Sequence, residues 1–480
     1  MHDVDGEEGE NAAAGRTEVL NTGRAPLART RPGALTSTTV RRDQPTCPAT
    51  GEHDAAVDRG EERGTVFLEV TALSHGPDGV ARHQGGVVFV PGVAPGDHVH
   101  ARLVDARATF ARAQVVDCTP GPAHRDPPCP WVDACGGCPW QQVVYPEQLA
   151  AKAANVRETL ARIGGVTAAR ELPIRAAPDE WRYRRRIRLH VGRNGALGYR
   201  QPRSHRLVEI DDCVIAEASL SEALPVVRRI ATHLRTRLRT LEILVNGRSA
   251  VVIRGVADGT FVATDAEVLT DLLAASVTIA GIEIAGRDWE RSFGDIRIVV
   301  HPDDGTTIVQ RPGTFSQVNT QANRLLVDTV RTLATPAARI LDLFCGAGNL
   351  SLPLAGAGAD VLGVDASAMA IADARASAAD GGVERVRFEA LPALRFLCQQ
   401  GLAGADLVLL DPPRAGAAAE VVQLARLRPP RILYVSCDPA TLARDAKILV
   451  AAGYVVDRVQ PLDLFPQTPH VETVLEACCY

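Results

Sequence analysis

VSCDPATLARD, residues 435–445, decides how this chain is read. The apolar run Arg431-Ile432-Leu433-Tyr434-Val435 reads as a strand and the residues after Cys437 as a helix, so Cys437 falls on the turn between them, where a nucleophilic thiolate would sit. Working backwards, Leu407-Val408-Leu409-Leu410 ends in Asp411-Pro412-Pro413-Arg414, and Ile340-Leu341-Asp342-Leu343-Phe344 ends in Cys345-Gly346-Ala347-Gly348-Asn349. Strands alternating with helical stretches predict a mostly parallel, doubly wound α/β sheet over residues 326–480. Such sheets bind ligands beyond the carboxyl ends of their strands, so these three strand ends should line one cleft.

The Gly-rich turn, Gly346-Ala347-Gly348-Asn349-Leu350-Ser351, lacks the third glycine of a dinucleotide fingerprint. With Asp342 before it and Asp365 ending the next strand, it favours S-adenosylmethionine over a nicotinamide cofactor. Gly346 and Gly348 would let the backbone approach the methionine end, and Asp365 would accept hydrogen bonds from ribose hydroxyls.

The 480 residues suggest about three domains, and a hydrophobic content of 46% is ample for their cores. No apolar stretch approaches the length of a membrane span and the first residues are acidic, which predicts a cytoplasmic protein with no membrane partner. In a reducing compartment, clustered members of the eleven cysteines read as metal or catalytic ligands rather than disulfides. A net charge of −5 lends no general support to nucleic-acid binding, which must rest on local patches.

Residues 1–62 have the composition of a disordered tail. Residues 63–120 carry about five short strands between Gly and Pro turns, predicting a small OB-like barrel. The order of His75-Gly76-Pro77-Asp78-Gly79-Val80-Ala81, Val88-Phe89-Val90-Pro91-Gly92 and Gly96-Asp97 resembles a TRAM domain, which implies RNA binding.

Residues 121–325 form a mixed α/β central region. Cys129, Cys135 and Cys138 are brought together by Gly136 and Gly137, and Cys213 offers a fourth sulfur; four thiolates suit zinc or a [4Fe-4S] cluster equally well by spacing. Between them, Trp181-Arg182-Tyr183-Arg184-Arg185-Arg186-Ile187-Arg188 leads into a hairpin at Asn194-Gly195, a pattern that suits phosphate contact and base stacking. A helix from about Ser219 to Arg239 and a second hairpin at Asn246-Gly247 follow.

The motifs DLFCGAGN, LDPPRAG, VSCDPATLARD and LDLFPQTPHVE, in this order, strongly resemble the RNA 5-methyluridine methyltransferases. With the barrel and the four cysteines, the chain is similar to the iron–sulfur branch that methylates 23S ribosomal RNA. The resemblance covers roughly residues 64–480. It implies that Cys129, Cys135, Cys138 and Cys213 carry [4Fe-4S], that Gln317, Phe344, Asn349, Asp365 and Asp411 line the S-adenosylmethionine pocket, and that Cys437 is the nucleophile and Glu472 the general base. The substrate it implies is RNA, 23S favoured over the transfer RNA T-loop, whose usual enzymes lack the barrel and the cysteines; no obligate protein partner is evident. Non-catalytic RNA binding is disfavoured by the presence of both Cys437 and Glu472.

Uracil C5 is too weak a nucleophile to take a methyl group unaided, so the expected route is thiolate addition at C6, methylation at C5, then removal of the C5 proton and loss of the cysteine. The chain departs from the family pattern at Asp365, usually Glu, and at Ser377, where Asn is common. Phe388-Glu389-Ala390-Leu391-Pro392-Ala393 offers no Asp or Asn for the adenine.

Overall fold

The computed structural model describes residues 65–480 other than 108 and 249, so the tail expectation lies outside the described residues. Strands β1 (Thr65–Leu73), β2 (Gly79–His83), β3 (Gly86–Val90), β4 (His98–Ala106) and β5 (Phe110–Thr119) close into a barrel in the order β1-β2-β3-β5-β4. Alternation along β1 and β4 puts Leu68, Val70, Val99 and Ala101 inside. Closure leaves no free sheet edge on this small element.

The short helix α1 (Val132–Cys135) ends in Cys135, with Cys129 before it and Cys138 after it, and α2 (Tyr145–Thr159), with Pro146 in its first turn, leads back to the main sheet through β6 (Arg170–Glu171). A seven-stranded sheet follows, built from β7 (Arg186–Val191), β8 (Leu197–Arg200), β9 (Leu207–Glu209), β10 (Leu238–Val245), β11 (Val251–Ala257), β12 (Ile279–Ala285) and β13 (Glu290–Gly294). Helices α3 (Ala218–His233) and α4 (Asp265–Ala274) cover it, with Leu220, Leu224, Val227 and Ile230 buried against the sheet. The expected hairpins are present: Asn194 and Gly195 both take positive φ, 57° and 75°, as a tight turn between β7 and β8 requires. Helix α3 stops at His233, short of the expected Arg239, because the Asp265 carboxylate accepts from the backbone N–H groups of Arg235 (3.1 Å) and Thr236 (2.7 Å) and turns the chain into β10.

The pair β14 (Ile298–Val300) and β15 (Ile308–Gln310) connects to α5 (Thr320–Ala334), capped by Asn319, whose side chain accepts from Ala322 N. The last sheet uses β16 (Arg339–Leu343), α6 (Ser351–Gly356), β17 (Asp360–Asp365), α7 (Ala368–Asp380), β18 (Val386–Ala390), α8 (Ala393–Gln400), β19 (Leu407–Leu410), α9 (Ala418–Leu427), β20 (Arg431–Ser436), α10 (Pro439–Ala451), β21 (Val455–Leu462) and β22 (Glu472–Cys478). Its order is β18-β17-β16-β19-β20-β22-β21-β6, parallel from β18 to β20 and antiparallel at β22. The order reverses beside β16, which opens a crevice at the carboxyl ends of β16, β17 and β19. Both faces are covered, so β19 and β20 read as unbroken apolar runs rather than alternating ones. No helix among the described residues is long and apolar enough to cross a membrane.

Candidate active site

Cys437 follows the last residue of β20 and precedes the N-cap of α10. Asp438 accepts from Ala440 N (2.9 Å) and Thr441 N (3.0 Å), and the Ser436 hydroxyl accepts from Asp438 N (3.2 Å). These bonds fix the turn that carries the half-buried thiol, at the point where β20 pairs with β22. This thiol is pushed up to about 11, chiefly by burial and then by the Glu472 charge, with Arg414 opposing and Asp411 adding a little more.

Glu472, 3% exposed, opens β22 and pairs with Leu462 of β21. Burial holds its carboxyl well above the usual range, with the Asp411 charge adding to the shift and Arg414 opposing it. Burial likewise pushes Asp411 up to about 7. Arg414 was quoted in the sequence as part of a Pro turn and given no role, although its place three residues after Asp411 puts it over the same strand end. Its Nη2 lies 3.4 Å from His470 Nε2, and the imidazole, pushed down to about 4 chiefly by burial and then by Arg414, is neutral near pH 7. A thiol, two carboxyls, a guanidinium and a neutral imidazole therefore meet at the ends of β19, β20 and β22, a set able to generate a thiolate and to hold a proton.

The cofactor turn lies two strands away. Phe344 takes φ 65°, and Gly346 and Gly348 take 56° and 87°. A Cβ on Gly346 would meet nothing within 4 Å, which leaves its backbone open towards the crevice. Asp365 accepts from Gly346 N (3.0 Å) and Ser367 N (2.7 Å); each carboxylate oxygen keeps a second lone pair for a ribose hydroxyl. Asn349 forms a reciprocal amide pair with Asn323 of α5 (2.8 and 2.9 Å), a partner that gave no signal in the sequence because it lies on a distant helix. Asp342 is fully buried, takes a short hydrogen bond of 2.5 Å from Ser351, and leaves its other oxygen unpartnered. Gln317 sits in the loop between β15 and α5, beside the Asn319 cap. An open backbone cradle flanked by carboxylates fits a ligand with a cationic centre and a ribose, as S-adenosylmethionine has.

Ser377, where the family pattern has Asn, receives Val309 N (3.0 Å) and donates to Asp373 O (2.8 Å), so it joins α7 to β15 rather than facing the crevice. Gly363 of β17 is confined by packing: a Cβ there would stand 2.6 Å from the Phe388 ring and 2.9 Å from the Cys345 sulfur.

The four cysteines Cys129, Cys135, Cys138 and Cys213 gather at one place, close enough that each of the first three feels the charge of Cys213. Burial pushes the thiol of Cys135 up to about 11 and that of Cys138 up to about 12, a cost that thiolates recover only by binding a cation. Arg182 holds the Cys213 loop, donating to both Asp212 oxygens (2.7 and 2.6 Å) and to Cys213 O (3.0 Å).

The arginine run does not form the open phosphate-and-stacking surface expected of it, since Tyr183 and Arg185 are buried. Arg185 is buried and donates to Val245 O (2.8 Å) and Val299 O (3.0 Å), while Arg186 and Arg188 converge on Glu242 Oε1 (2.7 and 2.9 Å). Tyr183 is 4% exposed with its hydroxyl on Pro466 O (3.0 Å), so it is out of reach of a nucleobase. Arg185 and Tyr183 are thus internal wiring, while Arg182 and Arg188 stay exposed though ion-paired; further exposed basic residues are Arg193 in the hairpin turn and Arg200, Arg203, His205 and Arg206 beyond it.

A doubly wound sheet with a Gly-turn crevice beside a cysteine at a strand end defines a class I methyltransferase. The chain belongs to the tRNA (uracil-5-)-methyltransferase family, whose model matches residues 144–476, and a TRAM domain model matches residues 60–116. It is an S-adenosylmethionine-dependent RNA uracil-C5 methyltransferase. A 23S rRNA (uracil(1939)-C(5))-methyltransferase of Shewanella amazonensis is 36% identical over 85% of this chain and 94% of its own length. An uncharacterized RNA methyltransferase of Thermosynechococcus vestitus is 35% identical over 86% of this chain and 98% of its own. Among solved structures, the Pyrococcus abyssi tRNA (uracil-54, C5)-methyltransferase in complex with S-adenosyl-L-homocysteine is 27% identical, covers 85% of this chain and 99% of that chain, and superposes with a TM-score of 0.68.

Proposed function

We propose that the substrate is 23S ribosomal RNA and that Cys437 attacks C6 of the target uracil while Glu472 removes the proton from C5. The observation that carries the reading is the meeting of Cys437, Glu472, Asp411 and Arg414 at neighbouring strand ends, with the cofactor turn on the same edge of the sheet. S-adenosylmethionine supplies the methyl group. The Cys437 thiolate adds to C6, and the electron pair of the C5–C6 double bond moves to C5 and O4. C5 takes the methyl group as its bond to sulfur breaks and S-adenosylhomocysteine is left, Glu472 accepts the C5 proton, and the double bond re-forms as the cysteine leaves. Arg414 favours both anions that the cycle needs, the thiolate and the carboxylate. The uridine must leave any stack to reach Cys437, at a cost of a few kcal/mol, so a loop target is the cheapest.

The choice of 23S RNA rests on the relatives. The barrel does not discriminate: the match to the Pyrococcus tRNA enzyme covers 85% of this chain, whereas residues 121–480 alone are 360 of 480, or 75%. The higher identity, 36%, to enzymes named for 23S rRNA favours that target.

Cys129, Cys135, Cys138 and Cys213 would hold a [4Fe-4S] cluster, which would tie the loop before α2 to the loop after β9. Among the described residues no three of their sulfurs fall within 4.8 Å of one another. Four thiolates suit zinc as well, and the choice of an iron–sulfur cluster rests on the resemblance to the iron–sulfur branch of the family. RNA contact would fall on the barrel and on Arg200, Arg203 and Arg206, and the protein would act in the cytoplasm.

The test is a denaturing gel of protein, S-adenosylmethionine and 5-fluorouridine-substituted RNA, comparing 23S fragments, transfer RNA and Cys437→Ala. Fluorine at C5 cannot leave as a proton, so the adduct persists. An adduct with 23S fragments that is absent in Cys437→Ala is expected; an adduct with transfer RNA alone overturns the substrate, and none at all overturns the mechanism.

A further inference from the structure

Glu472 is the first residue of the β21–β22 ladder, opposite Leu462, and the loop that leads into it takes most of its hydrogen bonds from segments outside that sheet. Between Leu462 at the end of β21 and Glu472 at the start of β22, the chain has no regular structure. Lys152 of α2, 0% exposed, donates to Asp463 Oδ1 (2.6 Å) and Phe465 O (3.0 Å). Gln148, one turn earlier on the same face of α2, exchanges two bonds with Gln467: its Nε2 donates to Gln467 Oε1 (2.9 Å), and its Oε1 accepts from Gln467 N (2.8 Å). Trp140 N donates to Gln467 O (3.1 Å), and Arg125 Nη2 donates to Gln467 Oε1 (2.7 Å). Tyr183 fixes the carbonyl between them, at Pro466.

Gln467 is fully buried with φ 70°, a conformation that costs a non-glycine residue of order 1–3 kcal/mol and persists only where its surroundings impose it. Here the surroundings are the two glutamine bonds and the Trp140 amide. Asp463 has its charge met by the Lys152 ammonium, deep in the protein, where an unmatched carboxylate would not be tolerated. Trp140 is two residues past Cys138, so the same latch joins the cysteine loop to the base.

We propose that Gln148, Lys152 and Gln467 are positioning residues that set Glu472 for proton removal, the last chemical step of the cycle proposed above, on which this inference rests. The turn that carries Cys437 is fixed by the Asp438 cap between β20 and α10, and β20 meets β22 directly, Ser436 opposite Thr473, rather than through this loop. Loosening the latch therefore leaves thiolate addition and methyl transfer in place and slows elimination. The covalent, methylated enzyme–RNA intermediate then accumulates on ordinary uridine RNA, an outcome that a general loss of fold does not produce.

The experiment uses the full chain with RNA that the wild type traps in its 5-fluorouridine form. Gln148→Met and Gln467→Gly are each mixed with unmodified RNA and methyl-labelled S-adenosylmethionine, then quenched onto a denaturing gel, with Glu472→Gln as the reference for blocked elimination. The expected result is a labelled protein–RNA band in both variants, single-turnover label incorporation near the wild-type rate, and release of methylated RNA slowed by about 10- to 100-fold, as an ångström of misplacement produces. If Gln148→Met does not fold, Gln467→Gly carries the test, because glycine takes φ 70° without strain. Release at the wild-type rate, or incorporation and release falling together with no labelled band, overturns the proposal. Failure of the wild type to trap 5-fluorouridine RNA is a separate result: it removes the covalent mechanism, and this inference falls with it.

Discussion

Glu472 opens β22 one residue before Thr473, which pairs with Ser436 at the end of β20, and from there its charge raises the proton affinity of the Cys437 thiol. The relationship suits a cycle in which the two act in turn. The thiolate is consumed on addition, which removes its charge before the carboxylate is needed, and Arg414 serves both anions in succession.

The pH dependence of the nucleophile follows from this. A thiol held at about 11 is almost wholly protonated at pH 7, and each unit of pH below that value raises the thiolate fraction about tenfold. Iodoacetamide labelling of Cys437 in the free enzyme, located by mass spectrometry, is expected to climb roughly tenfold per unit from pH 7 to 9. A plateau beginning below pH 8 would show the thiol to be far more acidic than its burial implies.

Arg414→Met removes the cation that lowers both groups. Cys437 labelling at pH 8 should slow, and its pH profile should move to higher pH, with binding of S-adenosylmethionine unchanged by calorimetry. An unmoved profile would mean that Arg414 does not act on the thiolate.

Glu472→Gln keeps the shape of the buried residue and removes its basicity. Turnover is expected to fall by about 100- to 10,000-fold, the range of general base catalysis, while the protein–RNA adduct becomes visible with ordinary uridine. Loss of activity without any adduct would place Glu472 before the addition step.

Asp365→Asn takes away the carboxylate that receives Gly346 N and faces the crevice. A lost hydrogen bond to a charged group is worth about 1.5–3 kcal/mol, so S-adenosylmethionine should bind roughly ten- to a hundredfold more weakly by calorimetry. Equal affinity would remove Asp365 from the cofactor site.

Lys152→Met leaves Asp463 buried and unpaired and should cost about 3–5 kcal/mol in a denaturant titration. The double change Lys152→Met with Asp463→Leu should recover most of that loss, since it removes the pair together. No recovery in the double variant would mean that packing, not charge, is what Lys152 supplies.

The strands of the methyltransferase sheet were legible because each is a short apolar run ended by a residue with a chemical purpose: Asp365 on β17, Asp411 after β19, Cys437 after β20. The barrel was legible because its turns carry Gly and Pro at regular intervals. The arginine run was only partly legible, since composition shows five charges but not the acids that folding brings to three of them, Asp212 to Arg182 and Glu242 to Arg186 and Arg188. Arg414 and Asn323 were missed for a related reason: a guanidinium in a Pro turn, or an amide on a helix, signals nothing until folding brings it to a thiol or to another amide.

Sequence by itself determined the sheet, the barrel, the identity of Cys437 and the crevice on which it opens, because these depend on patterns local to one strand and the turn that follows it. Tertiary structure alone decided that Gln467 is pinned by Gln148, that Lys152 meets Asp463, and that Asn323 pairs with Asn349. Those relations are set by packing between distant segments, and a pairing across hundreds of residues leaves no period or spacing in the chain to read.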